Sequence, residues 1–318
     1  MSSRSPLVVL SNARIDAAIN YTTLREPFLE PLAEVAHGRV VAPPPLTVGN
    51  ARALRDSVRT TRSATSVFWM QSSSRPELPL SLAAWSGPHQ QRAAAVIDAW
   101  APQIDRIGWL AVAQRLRPLF VFFREGHDEL TRRFPRGCFE HVPFAVDTSV
   151  FRPSEEERDV FAYWMGRRYE PLHLALESYC QERGLRYLAT SGGEVGDPAE
   201  LGRLVARSKY FVVTPPDLDN PARTGGFSPL VMRYLEGLAA GARLLGVRPR
   251  SGELEELIPF GAMLEVAPDG SDLAERLDFD AADPTAGPAT AAAGDLVRAE
   301  HSWGRRAEQV WSVMQGYR

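Results

Sequence analysis

Short apolar runs alternate with segments of helical periodicity along most of the chain. Residues 7–10, 67–70, 119–123 and 210–213 are runs of Val, Leu, Phe and similar side chains, and apolar positions spaced three or four apart lie between such runs. This alternation is typical of βα units and predicts parallel sheets with helices on both faces. It favours an α/β fold with two doubly wound, Rossmann-like domains facing across a cleft, where ligands bind beyond the carboxyl ends of the strands.

Length, charge and cysteine usage exclude several classes of protein. The 318 residues exceed the usual size of one domain, and 36 Lys plus Arg against 39 Asp plus Glu give a formal net charge of -3. No overall basic excess therefore points to nucleic acid or an anionic membrane. No apolar run approaches the ~20 residues that span a bilayer. Cys138 and Cys180 form no CxxC pair, which suits a reducing compartment, and we expect a cytoplasmic protein.

In the first half, the pattern predicts strands at 7–10, 39–42, 67–70, 119–123 and 139–142, and helices at 24–35 and 128–134. Ala93, Ile97, Trp100 and Ile104 recur at helical spacing, which predicts a helical segment broken near Pro102. The polar cluster of residues 124–127 is expected at the carboxyl end of the strand 119–123.

The second half repeats the βα pattern. Strands are predicted at 160–165, 185–189, 210–213 and 244–247, with helices at 200–208 and 229–240. Residues 215–226 are expected to form a long polar loop and residues 279–294 a linker, because both stretches are rich in turn-forming or small residues. A closing helix is predicted from an apolar stripe of Trp303, Ala307, Val310, Trp311 and Met314.

The segment 224–229, Thr-Gly-Gly-Phe-Ser-Pro, predicts an anion site. Ser228 suits an N-cap and Pro229 a first helical position, while Gly225 and Gly226 let the backbone approach a ligand. Free amides and the helix dipole favour phosphate at such a helix start. Glu236 follows on the same helix among apolar neighbours, where ribose hydroxyls are suitable donors to a buried carboxylate. The alternative is an ordinary capped helix in which Glu236 pairs with an arginine.

Two stretches resemble a known family. Residues 141–153, His-Val-Pro-Phe-Ala-Val-Asp-Thr-Ser-Val-Phe-Arg-Pro, are similar to the interdomain signature of group 1 glycosyltransferases, and residues 236–241, Glu-Gly-Leu-Ala-Ala-Gly, to their donor-site helix. The closing stripe resembles their terminal helix. The resemblance, to a divergent branch, implies the GT-B fold: an acceptor domain at 1–152, a nucleotide-sugar donor domain at 153–294, and a helix at 295–318 that packs back on the first domain. It also implies that neither a metal nor another cofactor is required.

The resemblance also assigns residues. Gly166 and Arg167 match a Gly-Arg pair in which the arginine contacts the diphosphate, and Arg168 stands beside them. The family usually has a lysine five residues after this arginine, but the residue here is Leu172. It also often has a second glutamate eight residues before the helix glutamate, and the residue here is Ser228. Arg168 and Arg223 are candidates to restore the positive charge of the missing lysine. The nucleotide sugar is therefore expected at Gly166, Arg167, Arg168, Arg223, Gly225, Gly226, Phe227, Ser228 and Glu236. The alternative for the adjacent arginines is exposure to solvent or pairing with Glu170.

The catalytic and acceptor residues are expected in the first domain. Histidine is the side chain that most often accepts a proton from a hydroxyl, so His127, with Glu125, is the candidate to accept the proton of the acceptor; the alternative is a capping or surface histidine. Gln71 and Ser72 are the candidate acceptor contacts. A retaining transferase needs no protein base, because the leaving phosphate can accept the proton, so retention is favoured. A nucleotide-sugar epimerase of this fold and an inactive binding protein are the alternative functions.

Overall fold

The computed structural model describes residues 7–11, 24–42, 55, 61, 64–71, 84, 90–191, 194–258 and 261–317. The chain divides into two compact units. The first comprises Met1–Pro143 together with Trp303–Arg318, and the second comprises Phe144–Ser302. The boundaries expected from the sequence are residues 152 and 294.

The strands in chain order are β1 (Leu7–Leu10), β2 (Arg39–Val41), β3 (Ser66–Gln71), β4 (Gln91–Val96), β5 (Leu119–Val121), β6 (Phe139–His141), β7 (Val160–Met165), β8 (Tyr187–Thr190), β9 (Ser208–Val213), β10 (Arg243–Gly246) and β11 (Met263–Glu265). The helices are α1 (Glu30–Val35), α2 (Ile104–Ala113), α3 (Arg124–Arg133), α4 (Glu170–Glu182), α5 (Pro198–Ala206), α6 (Pro216–Asp219), α7 (Pro221–Thr224), α8 (Met232–Ala239), α9 (Glu253–Leu257), α10 (Leu273–Ala282), α11 (Ala286–Glu300) and α12 (Trp303–Gly316). A π-helical turn, Arg25–Leu29, precedes α1, and a 3-10 turn, Ala101–Gln103, precedes α2.

The first unit contains a parallel sheet of six strands in the order β2-β1-β3-β4-β5-β6. Helix α12 belongs to this unit and packs against α1. The ring of Trp303 lies 5.3 Å from that of Phe28 and 5.6 Å from that of Phe122. Trp303, Ala307, Val310 and Met314 of the stripe predicted for the closing helix are buried, whereas Trp311 is only partly buried.

The helical segment predicted from Ala93 is wrong at its start. Gln91–Val96 form β4, which is paired with β3 and β5, and α2 begins only at Ile104. Alanine favours helices by its intrinsic propensity. Here tertiary packing decides, because Ala93 and Ala94 lie opposite Phe68 and Trp69 of β3, and small side chains beside bulky ones fill the sheet surface without overlap.

The second unit contains a parallel sheet of five strands in the order β11-β10-β9-β7-β8. The chain passes from β7 to β8 on one side and then returns to β9 on the other side of β7. The strand order therefore reverses between β7 and β9, and ligands of doubly wound sheets bind at the carboxyl edge of such a point. The strands predicted at 160–165 and 210–213 are confirmed, the second with two further residues at its start.

The linker predicted over 279–294 is wrong, because α10 and α11 occupy these residues. Asp280 is buried and accepts hydrogen bonds from the Tyr210 hydroxyl at 2.8 Å and from Arg243 Nε at 2.7 Å. Arg243 also donates to the carbonyl of Ala286, 3.3 Å away. An alanine-rich sequence is consistent with a helix as well as with a linker. The buried hydrogen bonds of Asp280 and Arg243 hold both helices against the sheet.

Candidate functional site

The candidate site lies in the second unit, at the carboxyl edge of β7 and β9. Gly166 follows β7 with φ +87°, a conformation that glycine adopts without steric cost. Its amide donates to the Thr190 carbonyl at 2.8 Å. A Cβ atom placed on Gly166 would lie 3.6 Å from the guanidinium carbon of Arg233. The arginine thus lies over a stretch of bare backbone at the end of β7.

Glu236 projects from α8 into a buried environment. The residue is 3% exposed, and its Oε2 atom has no hydrogen-bond partner. Burial raises the pKa of its carboxyl to about 7, and the charge of Arg233 lowers it in part. Because an unsatisfied buried carboxyl is costly, such a group is a signal for a functional site. Arg233 acts on Glu236 without forming an ion pair, so the paired-glutamate alternative is not observed.

Asp217, in α6 directly after β9, contributes a second unsatisfied carboxylate oxygen. Its Oδ2 atom pairs with Arg250 Nη1 at 2.8 Å, whereas its buried Oδ1 has no partner. Tyr234 lies near both charged groups: burial raises the pKa of its hydroxyl, Arg233 lowers it and Asp217 raises it. That hydroxyl donates to the Val247 carbonyl at 2.7 Å. The carboxyl edge of this sheet therefore combines unsatisfied acceptors with cations.

The sequence alone did not single out Arg233 or Asp217 as site residues. Arg233 precedes Glu236 by three residues, a spacing that places two helical side chains on one face, so this signal was available once α8 was recognised. Asp217 falls in residues 215–226, which were expected to form a loop but contain the short helices α6 and α7. Nothing in their composition distinguishes Asp217 from its acidic neighbour Asp219.

The glycine segment takes a different form from the one expected. Helix α8 begins at Met232 with Val231 as its N-cap, so the predicted Ser228 N-cap is wrong. Ser228 is buried, and its hydroxyl accepts a hydrogen bond from the amide of Arg250 at 3.2 Å. Pro229 fixes only its own φ and does not itself start a helix, and the hydroxyl that would cap α8 is occupied by the neighbouring loop.

The two glycines end α7 and do not begin α8. Gly225 has φ +61°, and its amide donates to the Pro221 carbonyl at 2.9 Å. The Gly226 amide donates weakly to Thr224 Oγ1 at 3.4 Å, and its carbonyl accepts from Arg250 Nη2 at 3.2 Å. Phe227 follows, partly buried, with its amide 3.4 Å from the Thr224 carbonyl. These contacts hold the segment against Arg250, which pairs with Asp217. Some of its backbone amides already donate hydrogen bonds within the loop.

The predicted arginines have separate surroundings. Arg167 pairs through Nε with Asp219 Oδ2 at 3.3 Å, so its partner is not Glu170, the alternative from sequence. Arg168 is exposed, and its charge acts on Tyr187, whose pKa is raised mainly by burial. Arg223 is exposed on α7, where its amide donates to Asn220 Oδ1 at 3.1 Å. Among the described arginines at this edge, Arg233 supplies the atoms nearest to Gly166 and the charge that acts on Glu236.

In the first unit, α3 begins at Arg124, four residues earlier than expected. Glu125 and His127 therefore lie in the first turn of a helix that follows β5. His127 Nδ1 lies 2.9 Å from Asp128 Oδ1, and its ring centroid is 6.0 Å from that of His141. Gln71 is the last residue of β3, and its contact with an acceptor stays a prediction. Ser72 lies outside the described residues.

Comparison with known proteins relates both the sequence and the fold to glycosyltransferases. Residues 164–312 match a family model described as "Glycosyl transferase-like". The fold is similar to that of sucrose-phosphate synthase from Thermosynechococcus elongatus (TM-score 0.63, 15% identity, covering 98% of this chain and 99% of that chain). It is also similar to HepE from Anabaena, determined in complex with UDP and glucose (TM-score 0.62, 12% identity, 98% and 100% covered). Residues 164–312 are thus similar to glycosyltransferases, and the fold of the chain is GT-B.

A third similar structure is AviGT4, described as a glycosyltransferase involved in avilamycin A biosynthesis (TM-score 0.54, 13% identity, 98% and 97% covered). No curated protein matches this GT-B chain in sequence. Within the part of it that the structure describes, no helix is both long and apolar enough to cross a membrane. Among the same residues, no cluster of three or more His, Cys, Asp or Glu side chains is arranged to hold a metal ion.

Proposed function

We propose that this protein transfers a sugar from a nucleoside diphosphate sugar to an acceptor hydroxyl, with retention of configuration and without a metal ion or other cofactor. The donor would bind at the carboxyl edge of the second sheet. One observation carries this proposal: a buried glutamate with an unsatisfied carboxylate oxygen, next to an arginine that lies over bare backbone at the strand-order reversal.

In this proposal, Glu236 accepts hydrogen bonds from the ribose hydroxyls of the donor. The hydroxyls would donate to the unpartnered Oε2 atom and favour the ionised carboxylate. These hydrogen bonds would offset part of the free-energy cost of burying its charge. Gly225, Gly226, Phe227 and Ser228 would form the adjacent wall, through the loop that Arg250 holds.

The diphosphate would lie against Gly166 and the guanidinium of Arg233. A planar guanidinium matches phosphate oxygens in pairs, and a charge fixed in advance stabilises the negative charge that develops on the leaving diphosphate. Arg167, Arg168 and Arg223 are proposed as further contacts at the rim. Arg233 would thereby supply the positive charge for which the family uses the lysine that Leu172 replaces.

During transfer, the bond between the anomeric carbon and the phosphate oxygen breaks, and the acceptor oxygen bonds to that carbon on the same face. The acceptor hydroxyl proton passes to the leaving phosphate, so no protein base is required. Gln71 and Ser72 are the proposed acceptor contacts. Glu125 and His127 are proposed to orient the acceptor, and His127 would take the proton in an inverting variant of the reaction.

A titration followed by a transfer assay tests this proposal. Uridine, guanosine and thymidine diphosphates are titrated by calorimetry, with UDP first because HepE was determined with UDP. The corresponding glucose donors are then incubated with an acceptor panel, and the anomeric configuration of each product is read by NMR. Binding of one nucleotide and transfer from its sugar support the proposal, whereas the absence of any nucleotide binding contradicts it.

A binding protein that holds a nucleotide sugar without turnover is the second candidate. Leu172 is fully buried in the core of the second unit, so the position of the family's lysine is a packing position here. Ser228 likewise stands where the family often has a second glutamate. Nucleotide binding without hydrolysis, epimerisation or transfer from any donor would favour this candidate, and a change of the donor sugar without an acceptor would favour an epimerase.

A further inference from the structure

A second polar pocket lies in the first unit, at the amino ends of β4, β5 and β6. Its volume is about 680 Å³, and four arginines line it: Arg92, Arg115, Arg117 and Arg136. None of the described residues that line it carries a negative charge. It is at the opposite edge of this sheet from Gln71 and the first turn of α3, so the proposed transfer reaction does not use it.

Hydrogen bonds fix the backbone that carries these arginines. The Arg117 amide donates to the Arg92 carbonyl at 2.7 Å, which joins the loop before β5 to β4. The side chain of Gln91 is buried and donates through Nε2 to the carbonyls of Arg117, at 3.2 Å, and Met314, at 2.8 Å. The arginines are therefore presented by a fixed framework, which reduces the entropy that a ligand must overcome.

Three of the four arginines of the pocket, Arg115, Arg117 and Arg136, have no acidic partner in the described part of the chain, whereas Arg92 donates through Nε to the Ala84 carbonyl at 3.2 Å. Burial lowers the pKa of Arg92, and the nearby charge of Arg115 lowers it further. Arg115, Arg117 and Arg136 form no ion pair with the residues that the structure describes, unlike Arg132, which pairs with Glu129 on the surface of α3. The like charges of Arg92 and Arg115 repel each other, and a bound anion would relieve this repulsion.

Arg115 adds a second indication. Its φ is +53°, in the left-handed region after the end of α2, where glycine is the usual residue. Its amide bonds to the Val112 carbonyl at 3.1 Å, which holds this conformation. This turn places Arg115 at the pocket, which it lines.

We propose that this pocket binds a compact anion that carries at least two phosphate groups. Guanidinium forks bind phosphate oxygens in pairs, and two linked phosphates carry enough negative charge to engage Arg115, Arg117 and Arg136 together. Ala111, Val112 and Leu116 also line the pocket and leave an apolar wall for an organic part of the ligand. This proposal is independent of the proposed glycosyl transfer.

Cys138 provides a local reporter, because its side chain lines the same pocket. Cys180 is the internal control: it is 2% exposed, and burial raises the pKa of its thiol to about 11. The full chain is alkylated with iodoacetamide, with and without inorganic pyrophosphate, and each cysteine peptide is followed by mass spectrometry. We expect pyrophosphate to slow alkylation of Cys138 at least fivefold and to leave Cys180 unchanged.

Variants then test the arginines. Arg115→Gln with Arg136→Gln should remove the protection of Cys138 and weaken pyrophosphate binding at least tenfold. Arg106→Gln, an exposed arginine of α2 that does not line the pocket, should retain both. Arg115 and Arg136 are exposed, so their replacement is expected to preserve the circular dichroism spectrum. The single Arg136→Gln variant, with a smaller loss, serves if the double variant does not fold.

Pyrophosphate bound at the second unit must be separated from pyrophosphate in this pocket. The Arg233→Ala variant does so, because protection of Cys138 should persist in it. Protection that is absent from the wild type, or that survives in the double variant, would overturn the proposal. Equal protection by citrate at the same concentration would contradict the assignment to phosphates.

Discussion

The guanidinium carbon of Arg233 lies 3.6 Å from the point that a Cβ atom on Gly166 would occupy. The same arginine precedes Glu236 by one helical turn and acts on the charge of its buried carboxyl. The guanidinium of Arg233 is therefore close to the backbone of Gly166 and also acts on the unsatisfied carboxyl of Glu236. This arrangement suits a ligand that presents phosphate oxygens at one point and hydroxyl groups at another.

A methyl group on Gly166 should disturb this relationship. Gly166→Ala introduces a left-handed alanine, which costs about 1 kcal/mol, and places the methyl against Arg233. Gly184→Ala is the matched control, because Gly184 has φ +64° with nothing within 4 Å. Both variants should lose similar unfolding free energy in urea, and only Gly166→Ala should bind nucleotide more weakly. If Gly166→Ala and Gly184→Ala weakened nucleotide binding equally, Gly166 would not be part of the binding site.

Removal of the Arg233 charge should affect nucleotides according to their phosphates. A charge-assisted hydrogen bond contributes about 1.5–3 kcal/mol, so Arg233→Ala is expected to weaken nucleoside diphosphate binding ~10- to 100-fold. Binding of the nucleoside alone should change little. Calorimetry of both ligands measures the difference, with Arg203→Ala, an exposed arginine of α5, as the control. Equal losses for nucleoside and diphosphate would place Arg233 away from the phosphates.

Stability should depend on pH through Glu236. Its pKa in the folded protein is about 7, against about 4.3 for an unperturbed glutamate. Between these values the folded state retains a proton that the unfolded state releases, so the free energy of unfolding falls as pH rises through this window. The expected loss over the whole window is about 4 kcal/mol, and most of it falls between pH 5 and pH 8. Urea unfolding at pH 5 and pH 8 should show this loss in the wild type and not in Glu236→Gln; parallel profiles would contradict it.

The ion pair between Arg243 and Asp280 should be structural. The pair is 2.6 Å long, with side chains 11% and 4% exposed. Asp280→Asn leaves the arginine buried without its counter-charge, which costs about 3–5 kcal/mol. Asp278→Asn is the control, because Asp278 is exposed and also accepts a hydrogen bond from a tyrosine, Tyr179, at 3.1 Å. Urea unfolding should separate the two variants, and similar midpoints would refute the structural role.

The sequence was sufficient to predict the parallel α/β class and most strands of both sheets, but it predicted neither β4 nor β11. Runs such as residues 7–10 and 160–165 are apolar along their whole length, because a parallel strand with both faces covered is buried throughout. These runs coincide with β1 and β7. Failure came where composition is ambiguous: Ala93–Val96 and residues 279–294 are rich in alanine, and their states are decided by the aromatic side chains of β3 and by Asp280, which lie far away in sequence.

The candidate site was predicted only in part. Glu236 stood out because a carboxylate among apolar residues needs donors, and the structure leaves its Oε2 atom unsatisfied. Ser228 was misread, because a serine before a proline satisfies the local rules for a helix start while its hydroxyl bonds to Arg250, a partner 22 residues away. Asp217 could not be selected in advance, since its unpartnered oxygen depends on how the 215–226 segment folds against Arg250.

The most direct test is the affinity of Glu236→Gln for the nucleoside diphosphate that the wild type binds best, measured by calorimetry at pH 8 beside Glu200→Gln, an exposed control on α5. The amide preserves shape but cannot replace a carboxylate as an acceptor for two hydroxyl groups. We predict at least tenfold weaker binding by Glu236→Gln, with stability equal to or above that of the wild type. Unchanged affinity in this variant would contradict the assignment of the donor site.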